Sequence, residues 1–392
     1  MYIGYSEEQT ALRAELRQYY AKLLTPELRR QLQIEHGIGT TTRAVVRQMG
    51  QDGWLGVGWP VEYGGQGRSH VEQFIFFDES MRCGAPVPML TINTVGPSIM
   101  KFGSTEQKNF FLPKILKGEI HFCIGYTEPN AGTDLAALRT RADRDGDQFV
   151  INGQKVFTSL ASDADYIWLA CRTDQEAPKH KGISMIIAEM NTPGIVVDPM
   201  HLLSQHDINT VFLEDVRVPA SNVVGAVNGG WSLITNQLNH ERVTLCAPGM
   251  LESAYDEVLA WTRETRLADG TRVIDKEWVQ VNLAKVRVGL EFLRLMNWKV
   301  AWTGTQGSLD VADASSVKVF GTEFFLAAFQ HLMEIVGPRS YLSYDSPDMV
   351  ASAKLETLYR SLIILTFGGG TNEIQRDLIA MFGLGLPRAL RA

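Results

Sequence analysis

The spacing of apolar residues predicts helices in the first part of the chain. Leu12, Leu16, Tyr20 and Leu23 follow one another at helical spacing. They come after Ser6-Glu7-Glu8-Gln9, which is typical of an N-terminal capping box. Turn-forming residues interrupt this helical spacing over 56–67, and the spacing resumes from Val71. We therefore expect a helical domain over 1–119.

The pattern changes to short strand-like runs over 120–226. Strands are indicated by the β-branched and aromatic runs Phe149-Val150-Ile151, Tyr166-Ile167-Trp168-Leu169, Ile183-Ser184-Met185-Ile186-Ile187 and Thr210-Val211-Phe212. Turns are indicated by Asp145-Gly146-Asp147, Asn152-Gly153 and Thr192-Pro193-Gly194. Together they predict a middle antiparallel β domain.

Helical spacing returns in the last part of the chain, 227–392. A long helix is predicted from about Gly229 through Leu245, and further helices over about 275–306, 312–337 and 347–366, with an exposed loop at 266–275. The chain is thus predicted to be an α+β multidomain protein of three segments in the order helical, β, helical.

Composition and charge exclude several classes of protein. The 392 residues are 45% hydrophobic and 21% charged, an ordinary globular composition. With 37 Lys and Arg against 44 Asp and Glu, the net charge is -7, which disfavours a nucleic-acid partner. Four scattered cysteines indicate buried thiols in a reducing compartment, and neither they nor the histidines show metal-ligand spacing.

The sequence shows no targeting signal or membrane span. The N-terminus lacks a basic run followed by an apolar core, so a signal peptide is not expected. No uninterrupted apolar run of about 18 residues occurs, so no membrane span is expected either. The expected location is the cytoplasm.

Two segments of the β region carry candidate ligand chemistry. In Tyr126–Asp134, Gly132 allows a close backbone approach, and Thr127 and Thr133 offer hydroxyls to a flat polar ring or a pyrophosphate. A plain β-turn is the more common outcome of such residues. After the predicted Asn152-Gly153 hairpin turn, Phe157 is placed to cover a ring face and Ser159 to donate to a ring nitrogen. The alternative is a core aromatic beside a surface hydroxyl.

Two segments of the last region are also candidates. Gly368, Gly369 and Gly370 end an apolar helix and expose backbone N–H groups, and Thr371 or Asn372 then caps a new helix that favours a phosphate or carbonyl oxygen. A simple helix–helix corner is the alternative. In the segment 239–244, a glutamate at 241 facing an apolar pocket would have a raised pKa suited to proton abstraction, although most helical glutamates are exposed or paired with arginine.

In this order the segments resemble the acyl-CoA dehydrogenase family along nearly the whole chain. The resembling pieces are GVGWPVEYGGQG, GSTEQKNFFLPKILKGE, YTEPNAGTD, INGQKVFTS, LEDVRVPASNVVG and FGGGTNEIQRD. The resemblance implies an N-terminal helical domain, a middle β domain and a C-terminal four-helix bundle. It also implies FAD bound between the β domain and the bundle, α,β-dehydrogenation of an acyl-CoA thioester, and electron transfer to an electron-transfer flavoprotein.

The resemblance assigns roles to individual positions. Cofactor binding falls to Ile124, Tyr126, Thr127, Gly132, Thr133, Phe157, Thr158, Ser159, Arg266, Gly368, Thr371 and Glu373. Acyl-CoA binding falls to Asn239, His240, Arg242 and Gly370. Many family members carry the catalytic glutamate at the position of Gly369, whereas a smaller group carries it in a Glu-Arg pair that here is Glu241-Arg242. Glu241 is therefore the expected base, and the N–H of Gly369 the expected donor to the thioester carbonyl.

Further pieces resemble one subgroup. NQLNHERV, GTRVIDKEWVQVNLAKV, ILTFGGGTNEIQRD and LGLPRA look like the α subunits of bacterial steroid side-chain acyl-CoA dehydrogenases, which are α2β2 heterotetramers. The family's usual contacts to a neighbour's FAD are altered at Arg266–Gly270 and at Glu334, which favours a different partner subunit over a homotetramer. The glycine triplet leaves room for a bulky acyl group.

The sequence also offers alternatives. The alternative substrate is a branched or a medium- or long-chain fatty acyl-CoA. A non-catalytic flavin-binding subunit, an acyl-CoA oxidase and a DNA-associated flavoprotein are the rival classes. Glu241 disfavours the non-catalytic subunit, and the absence of an additional C-terminal domain disfavours the oxidase. The negative net charge disfavours the DNA-associated flavoprotein.

Overall fold

The computed structural model describes residues 4–204, 207–235, 246–307, 310–344 and 346–387. The chain forms two compact units. The first, called the helical unit, comprises Met1–Leu24, Ser69–Ala85 and Arg242–Ala392. The second, called the β unit, comprises Thr25–Arg68 and Pro86–Glu241.

The helices and strands follow one another in the predicted order. The helices are α1 (Glu7–Leu23), α2 (Pro26–Glu35), α3 (Thr40–Gln51), α4 (His70–Cys83), α5 (Gly96–Phe102), α6 (Thr105–Leu116), α7 (Gly249–Glu264), α8 (Glu277–Thr305), α9 (Val311–Val336), α10 (Lys354–Leu362) and α11 (Asn372–Leu378). The strands are β1 (Phe122–Gly125), β2 (Arg141–Asp145), β3 (Gln148–Ser159), β4 (Tyr166–Arg172), β5 (Ile183–Glu189), β6 (Ile195–Met200), β7 (Ile208–Pro219) and β8 (Val223–Val224). The predicted fold class is thereby confirmed.

The capping box predicted at the start of the chain is present in the helical unit. The Ser6 hydroxyl accepts from the N–H of Gln9 at 3.2 Å, and the Gln9 side chain accepts from the N–H of Ser6 at 3.0 Å. One face of α1 is buried, and its Tyr20 hydroxyl lies 2.6 Å from the Ser80 hydroxyl of α4. Local capping and a buried apolar stripe therefore explain why this first helix forms where the sequence predicts it.

The core of the helical unit lies among α7, α8 and α9. Its buried members include Val258, Val286, Leu290, Phe325, Phe329 and Leu332. Gly289 of α8 admits Phe324 of α9, since a Cβ at position 289 would lie 2.1 Å from the Phe324 ring. Within the described residues, one helix, Val311–Tyr341, is long and apolar enough to cross a membrane by length and composition alone. Much of its apolar surface belongs to this core.

One sheet organises the β unit. Its strands run in the order β6-β7-β3-β2-β4-β5-β8, and β1 pairs with β4. Each predicted strand run lies in a strand, and Gly146 (φ 62°) lies in the turn between β2 and β3. The prediction of a purely antiparallel domain is wrong in one respect, because β1 and β2 both pair with β4 in parallel. The sheet is therefore mixed.

The hairpin turn predicted at Asn152-Gly153 is wrong. Both residues lie inside β3, at a register shift against β7 between Ile151 and Gly153. A Cβ at Gly153 would lie 2.5 Å from the Thr140 hydroxyl, so the glycine accommodates a close neighbour there instead of forming a turn. The Asn152 side chain exchanges hydrogen bonds of 2.9 and 3.0 Å with Asp215 of β7. This irregularity is a bulge whose extra residue is on β7, where Asp215 has φ 49°.

Two helix predictions for the last region need qualification. The helix predicted over 347–366 is shorter, because Ala351, Ser352 and Ala353 adopt left-handed backbone angles and only Lys354–Leu362 is α-helical. The long helix predicted through 245 includes 236–245, which lie outside the described residues. The predictions over 275–306 and 312–337 are confirmed by α8 and α9.

Candidate active-site segments

The end of β3 presents a strained, exposed aromatic residue. Phe157 has a left-handed backbone (φ 56°), and 58% of its surface is exposed. The pairing of β3 with β7 shifts register between Lys155 and Thr158, so the strand bulges at this point. A non-glycine residue in this conformation costs about 1–3 kcal/mol, and such strain concentrates at functional sites. Phe157 is thus available to cover the face of a flat ligand.

Thr158, beside Phe157, is a buried polar residue. It is 1% exposed, and its hydroxyl has no hydrogen-bond partner among the described residues. Leaving such a group unpaired costs about 1–3 kcal/mol. Its carbonyl accepts from the Asn209 side chain at 3.3 Å, which fixes the backbone. A flat ring with polar edge atoms, such as a flavin, fits this pair, because Phe157 offers an apolar face and Thr158 a hydroxyl.

A buried ion pair holds the neighbouring segment 126–133 against β3. The Lys155 ammonium donates to the Glu128 carboxylate at 2.8 Å and to the Tyr126 carbonyl at 3.1 Å. Lys155 is 0% exposed and Glu128 8% exposed. The N–H of Val156 also donates to the Thr127 carbonyl at 2.8 Å. The two candidate segments of the β unit are therefore one assembly.

Glu128 is ionised in this assembly. Burial alone would raise its pKa, but Lys155 and the N–H groups of Arg139 and Thr140 outweigh burial and hold the pKa below its ordinary value. Those N–H groups donate to the carboxylate at 2.6 and 2.8 Å. Neither Glu128 nor Lys155 was a candidate from the sequence. Their buried pairing depends on partners 27 residues apart.

The other predicted residues of the β unit surround this assembly. Ile124 lies half-buried in β1, and Ser159 ends β3. The Tyr126 hydroxyl accepts from the Trp168 indole at 3.1 Å. Gly132 and Thr133 are exposed, and among the described residues a Cβ at Gly132 would meet only the Thr127 methyl, at 3.6 Å. The backbone at Gly132 is therefore open to a ligand.

The helical unit carries the glycine turn, defined as residues 367–371. Gly369 and Gly370 have φ values of 68° and 94°, which favour glycine strongly. The N–H of Gly368 donates to the Ile364 carbonyl at 2.7 Å and closes the preceding helical turn. The Thr371 hydroxyl accepts from the N–H of Ile374 at 3.3 Å and caps α11, as predicted. This turn requires at least two of its three glycines.

One buried lysine contacts the glycine turn from α9. The Lys318 ammonium donates to the carbonyls of Thr366 and Gly370 and to the side-chain oxygen of Asn372, at 3.1, 2.7 and 2.8 Å. Lys318 was not a candidate from the sequence. Its spacing from Ala314, Gly321 and Phe325 places it on the buried face of a helix, which was the available signal.

The remaining predicted cofactor residues of the helical unit lie on its surface. Glu373 is exposed, and hydrogen bonds at the start of α11 keep its pKa below its ordinary value. The Arg266 guanidinium donates to the Gly270 carbonyl of its own loop at 2.8 Å. The Glu334 carboxylate accepts from the Asn282 amide at 2.9 Å. Asn239, His240, Glu241 and Arg242 lie outside the described residues.

Among the described residues, no group of three or more His, Cys, Asp or Glu side chains could hold a metal ion.

Three domain families together match most of the chain. The acyl-CoA dehydrogenase N-terminal domain matches residues 6–119, the middle domain 123–216 and the C-terminal domain 228–384. The protein therefore belongs to the acyl-CoA dehydrogenase family, a flavin-dependent family, as its motifs predicted.

The similar proteins are acyl-CoA dehydrogenases and include a steroid enzyme. Acyl-CoA dehydrogenase FadE26 of Mycobacterium tuberculosis is 52% identical over 100% of both chains, and FadE29 of the same organism is 47% identical over 100% of both. The ChsE4–ChsE5 complex from Mycobacterium tuberculosis has a TM-score of 0.93 at 52% identity over 99% of this chain and 100% of that chain. The Tcur3481–Tcur3483 steroid ACAD has a TM-score of 0.94 at 48% identity, with the same coverage. The predicted similarity to steroid acyl-CoA dehydrogenases is confirmed.

Proposed function

We propose that the protein is an FAD-dependent dehydrogenase that forms an α,β double bond in a bulky acyl-CoA thioester, with a steroid side chain as the acyl group. One observation carries the proposal: strained, exposed Phe157 adjoins the buried Thr158, whose hydroxyl has no partner among the described residues, and both lie in the segment INGQKVFTS, which resembles a flavin-binding motif of the family. FAD supplies a hydride acceptor when it is bound.

The β unit supplies the residues proposed for the flavin ring. Phe157 covers a ring face, and Thr158 and Ser159 offer hydroxyls to its polar edge. The segment Ile124, Tyr126, Thr127, Gly132 and Thr133 lines the ring and pyrophosphate, held by the Glu128–Lys155 pair. In the helical unit, Thr371 and Glu373 are proposed for the adenylate portion and Gly368 for the adjoining backbone. Arg266 is also proposed to contact the cofactor, although its guanidinium donates to the Gly270 carbonyl of its own loop in this structure.

Glu241 is the proposed base. It removes the α-proton of the thioester onto its carboxylate while the carbonyl oxygen takes up negative charge. The N–H of Gly369 is proposed to donate to that oxygen, and Gly370 adjoins it. Asn239, His240 and Arg242 are proposed to contact the acyl-CoA. The absence of a side chain at Gly369 supports Glu241, because the family's alternative carboxylate would stand at that position.

The substrate proposal rests on space and similarity. The glycine turn has no side chains at three consecutive positions, 368–370, and so leaves room for a fused ring system. The similarity to the Tcur3481–Tcur3483 steroid ACAD supports the same class of substrate. Comparing kcat/KM for a steroid side-chain CoA ester and for octanoyl-CoA tests it. Clear preference for octanoyl-CoA would favour the alternative, a fatty acyl-CoA enzyme.

A second, different subunit is proposed to complete an α2β2 heterotetramer. The exposed apolar stripe of α8, defined as Trp278, Val281, Val288, Phe292, Leu295 and Trp302, supports a protein partner. Four of its members recur every seven residues, as in helices that pack on other helices. The ChsE4–ChsE5 and Tcur3481–Tcur3483 structures support a partner of a different sequence.

The assembly is tested by the ratio of FAD to chain with and without a coexpressed partner chain. Full FAD content and full activity of the isolated chain would favour a homotetramer. An electron-transfer flavoprotein is the proposed electron acceptor, and the cytoplasm the proposed location. The segments 1–119, 120–226 and 227–392 are retained as proposed domains, which the three matched families support.

A further inference from the structure

The glycine turn is tied on both sides to one buried cation. Lys318 exposes none of its surface. Its ammonium donates to the Thr366 carbonyl before the turn, to the Gly370 carbonyl within it, and to the Asn372 side chain just after it. An ammonium carries three N–H donors, and these three oxygens match them in number. The conformation of the turn therefore depends on Lys318.

Asn372 fixes the direction of this arrangement. Its amide nitrogen donates to the Thr322 hydroxyl at 3.0 Å and to the Glu323 carboxylate at 3.1 Å. Its oxygen is thereby turned towards Lys318. Glu323 is also paired with Arg376 at 2.7 Å. Lys318 thus belongs to a hydrogen-bonded network, and the side chain that it contacts there, Asn372, is neutral.

The Gln375 side chain holds the glycine turn at a second point. It donates to the Gly369 carbonyl at 3.3 Å, and Gln375 is fully buried. The Gly369 carbonyl shares its peptide plane with the Gly370 N–H, and the Gly370 carbonyl with the Thr371 N–H, so these two planes are held. The Gly369 N–H lies in the preceding plane, which is joined to them through the left-handed backbone of Gly369 (φ 68°).

We infer that Lys318 is a positioning residue of the reaction. It acts through Gly370, holding the backbone that follows Gly369 so that the adjoining Gly369 N–H meets the thioester carbonyl oxygen. Its positive charge also stabilises the negative charge that gathers on that oxygen when the α C–H electron pair moves towards the carbonyl and the proton passes to Glu241. This inference rests on the proposed function. A preorganised charge in a dry site acts strongly on such a developing charge.

The test separates this role from simple support of the fold. Lys318→Met leaves an unbranched side chain that is one atom shorter and removes its charge. The matched control is Lys299→Met, because Lys299 is exposed and pairs with Asp313 at the surface. Both variants are prepared as FAD-loaded protein with the partner chain, and FAD content and thermal unfolding are measured first.

Two measurements then test whether Lys318 has this positioning role. The first is steady-state kinetics with the best acyl-CoA substrate. The second is titration with a 3-thia acyl-CoA, which can lose its α-proton but has no β-hydrogen to transfer. Its deprotonated form gives a long-wavelength charge-transfer absorption with oxidised flavin. We expect Lys318→Met to lower kcat by roughly tenfold or more, with KM changed little, and to weaken the absorption, whereas Lys299→Met resembles wild type.

A second variant covers the case in which Lys318→Met does not retain FAD. Asn372→Asp keeps the size of the side chain and its oxygen towards Lys318, but it removes the amide that donates to Thr322 and Glu323 and places a negative charge beside the ammonium. We expect it to weaken the same absorption and lower kcat. Wild-type kcat and absorption in FAD-loaded Lys318→Met, or in Asn372→Asp where that variant must be used, would overturn the inference. A wild-type protein that no acyl-CoA reduces would instead refute the proposed function.

Discussion

Lys155 donates to Glu128 at 2.8 Å in the interior of the β unit, and the same ammonium holds the Tyr126 carbonyl. Breaking a buried pair by removing one partner costs about 3–5 kcal/mol, because the other charge stays buried and unpaired. Lys155→Met should therefore destabilise the protein and release FAD. Arg217→Met, which breaks an exposed pair with Asp145, should cost at most about 1 kcal/mol. Denaturant unfolding and FAD content measure both effects, and equal losses in the two variants would contradict this role.

Thr158→Val should leave the stability of the FAD-free protein unchanged or higher but should weaken the binding of FAD. Thr158→Val removes an unpaired buried hydroxyl, so the FAD-free protein should be as stable as wild type or slightly more stable. If the hydroxyl bonds the flavin, the same change should weaken FAD binding by about 1 kcal/mol, or roughly fivefold. Thermal unfolding of the FAD-free protein and an FAD titration test the pair of effects. Unchanged FAD affinity would show that the hydroxyl does not contact the cofactor.

The glycine turn should tolerate no side chain at Gly370. Gly370→Ala places a Cβ 2.7 Å from the Gln375 amide nitrogen at φ 94°. We expect a loss of about 1–2 kcal/mol from the backbone conformation and a lower kcat. Gly307→Ala is the control, since Gly307 has φ 84° and no atom of the described residues within 4 Å of the added Cβ. The control should share the loss of stability but keep wild-type kcat. A kcat reduced equally in both variants would rule out a specific role for the turn.

Acid should destabilise the protein through His121. Burial, followed by the charge of Arg43, lowers the pKa of His121 to about 4. The folded state thus binds fewer protons than the unfolded state, so stability falls as the pH drops from about 6.5 to about 4. The resulting loss in the free energy of unfolding should reach about 3 kcal/mol.

His121→Leu should remove this part of the pH dependence, measured by urea unfolding between pH 7 and pH 4. Asp78 has a pKa raised to about 7, chiefly by burial, and contributes a slope of the opposite sign. It is present in both proteins, so the difference between them isolates His121. Identical slopes for wild type and variant would show that His121 does not titrate as its burial implies.

Local signals in the sequence predicted the helices and strands well. Ser6 and Thr371 cap helices where expected, because a capping bond spans only three residues. The turn predicted at Asn152-Gly153 is absent. The same residues occur within a strand at a register shift, where Gly153 leaves space for Thr140. Only the fold reveals that close neighbour.

The predictable part of the site lies in contiguous motifs. Phe157 and the glycine turn were found in this way, whereas Lys155 and Lys318 were missed. Each of these lysines owes its role to burial among acceptors that are distant in sequence: Glu128 is 27 residues from Lys155, and Gly370 is 52 residues from Lys318. The left-handed backbone of Phe157 was equally hidden, because it arises from the register shift between β3 and β7.

Glu241 is the residue on which the proposed chemistry depends. Its replacement by glutamine keeps the size of the side chain and removes the basic carboxylate, and Glu264→Gln, at the exposed end of α7, is the matched control. The measurement is the bleaching of the bound flavin's visible absorption by acyl-CoA substrate without oxygen. We predict that Glu241→Gln retains FAD and shows no bleaching, whereas Glu264→Gln bleaches as wild type does. Bleaching of Glu241→Gln at near wild-type rate would contradict its role as the base.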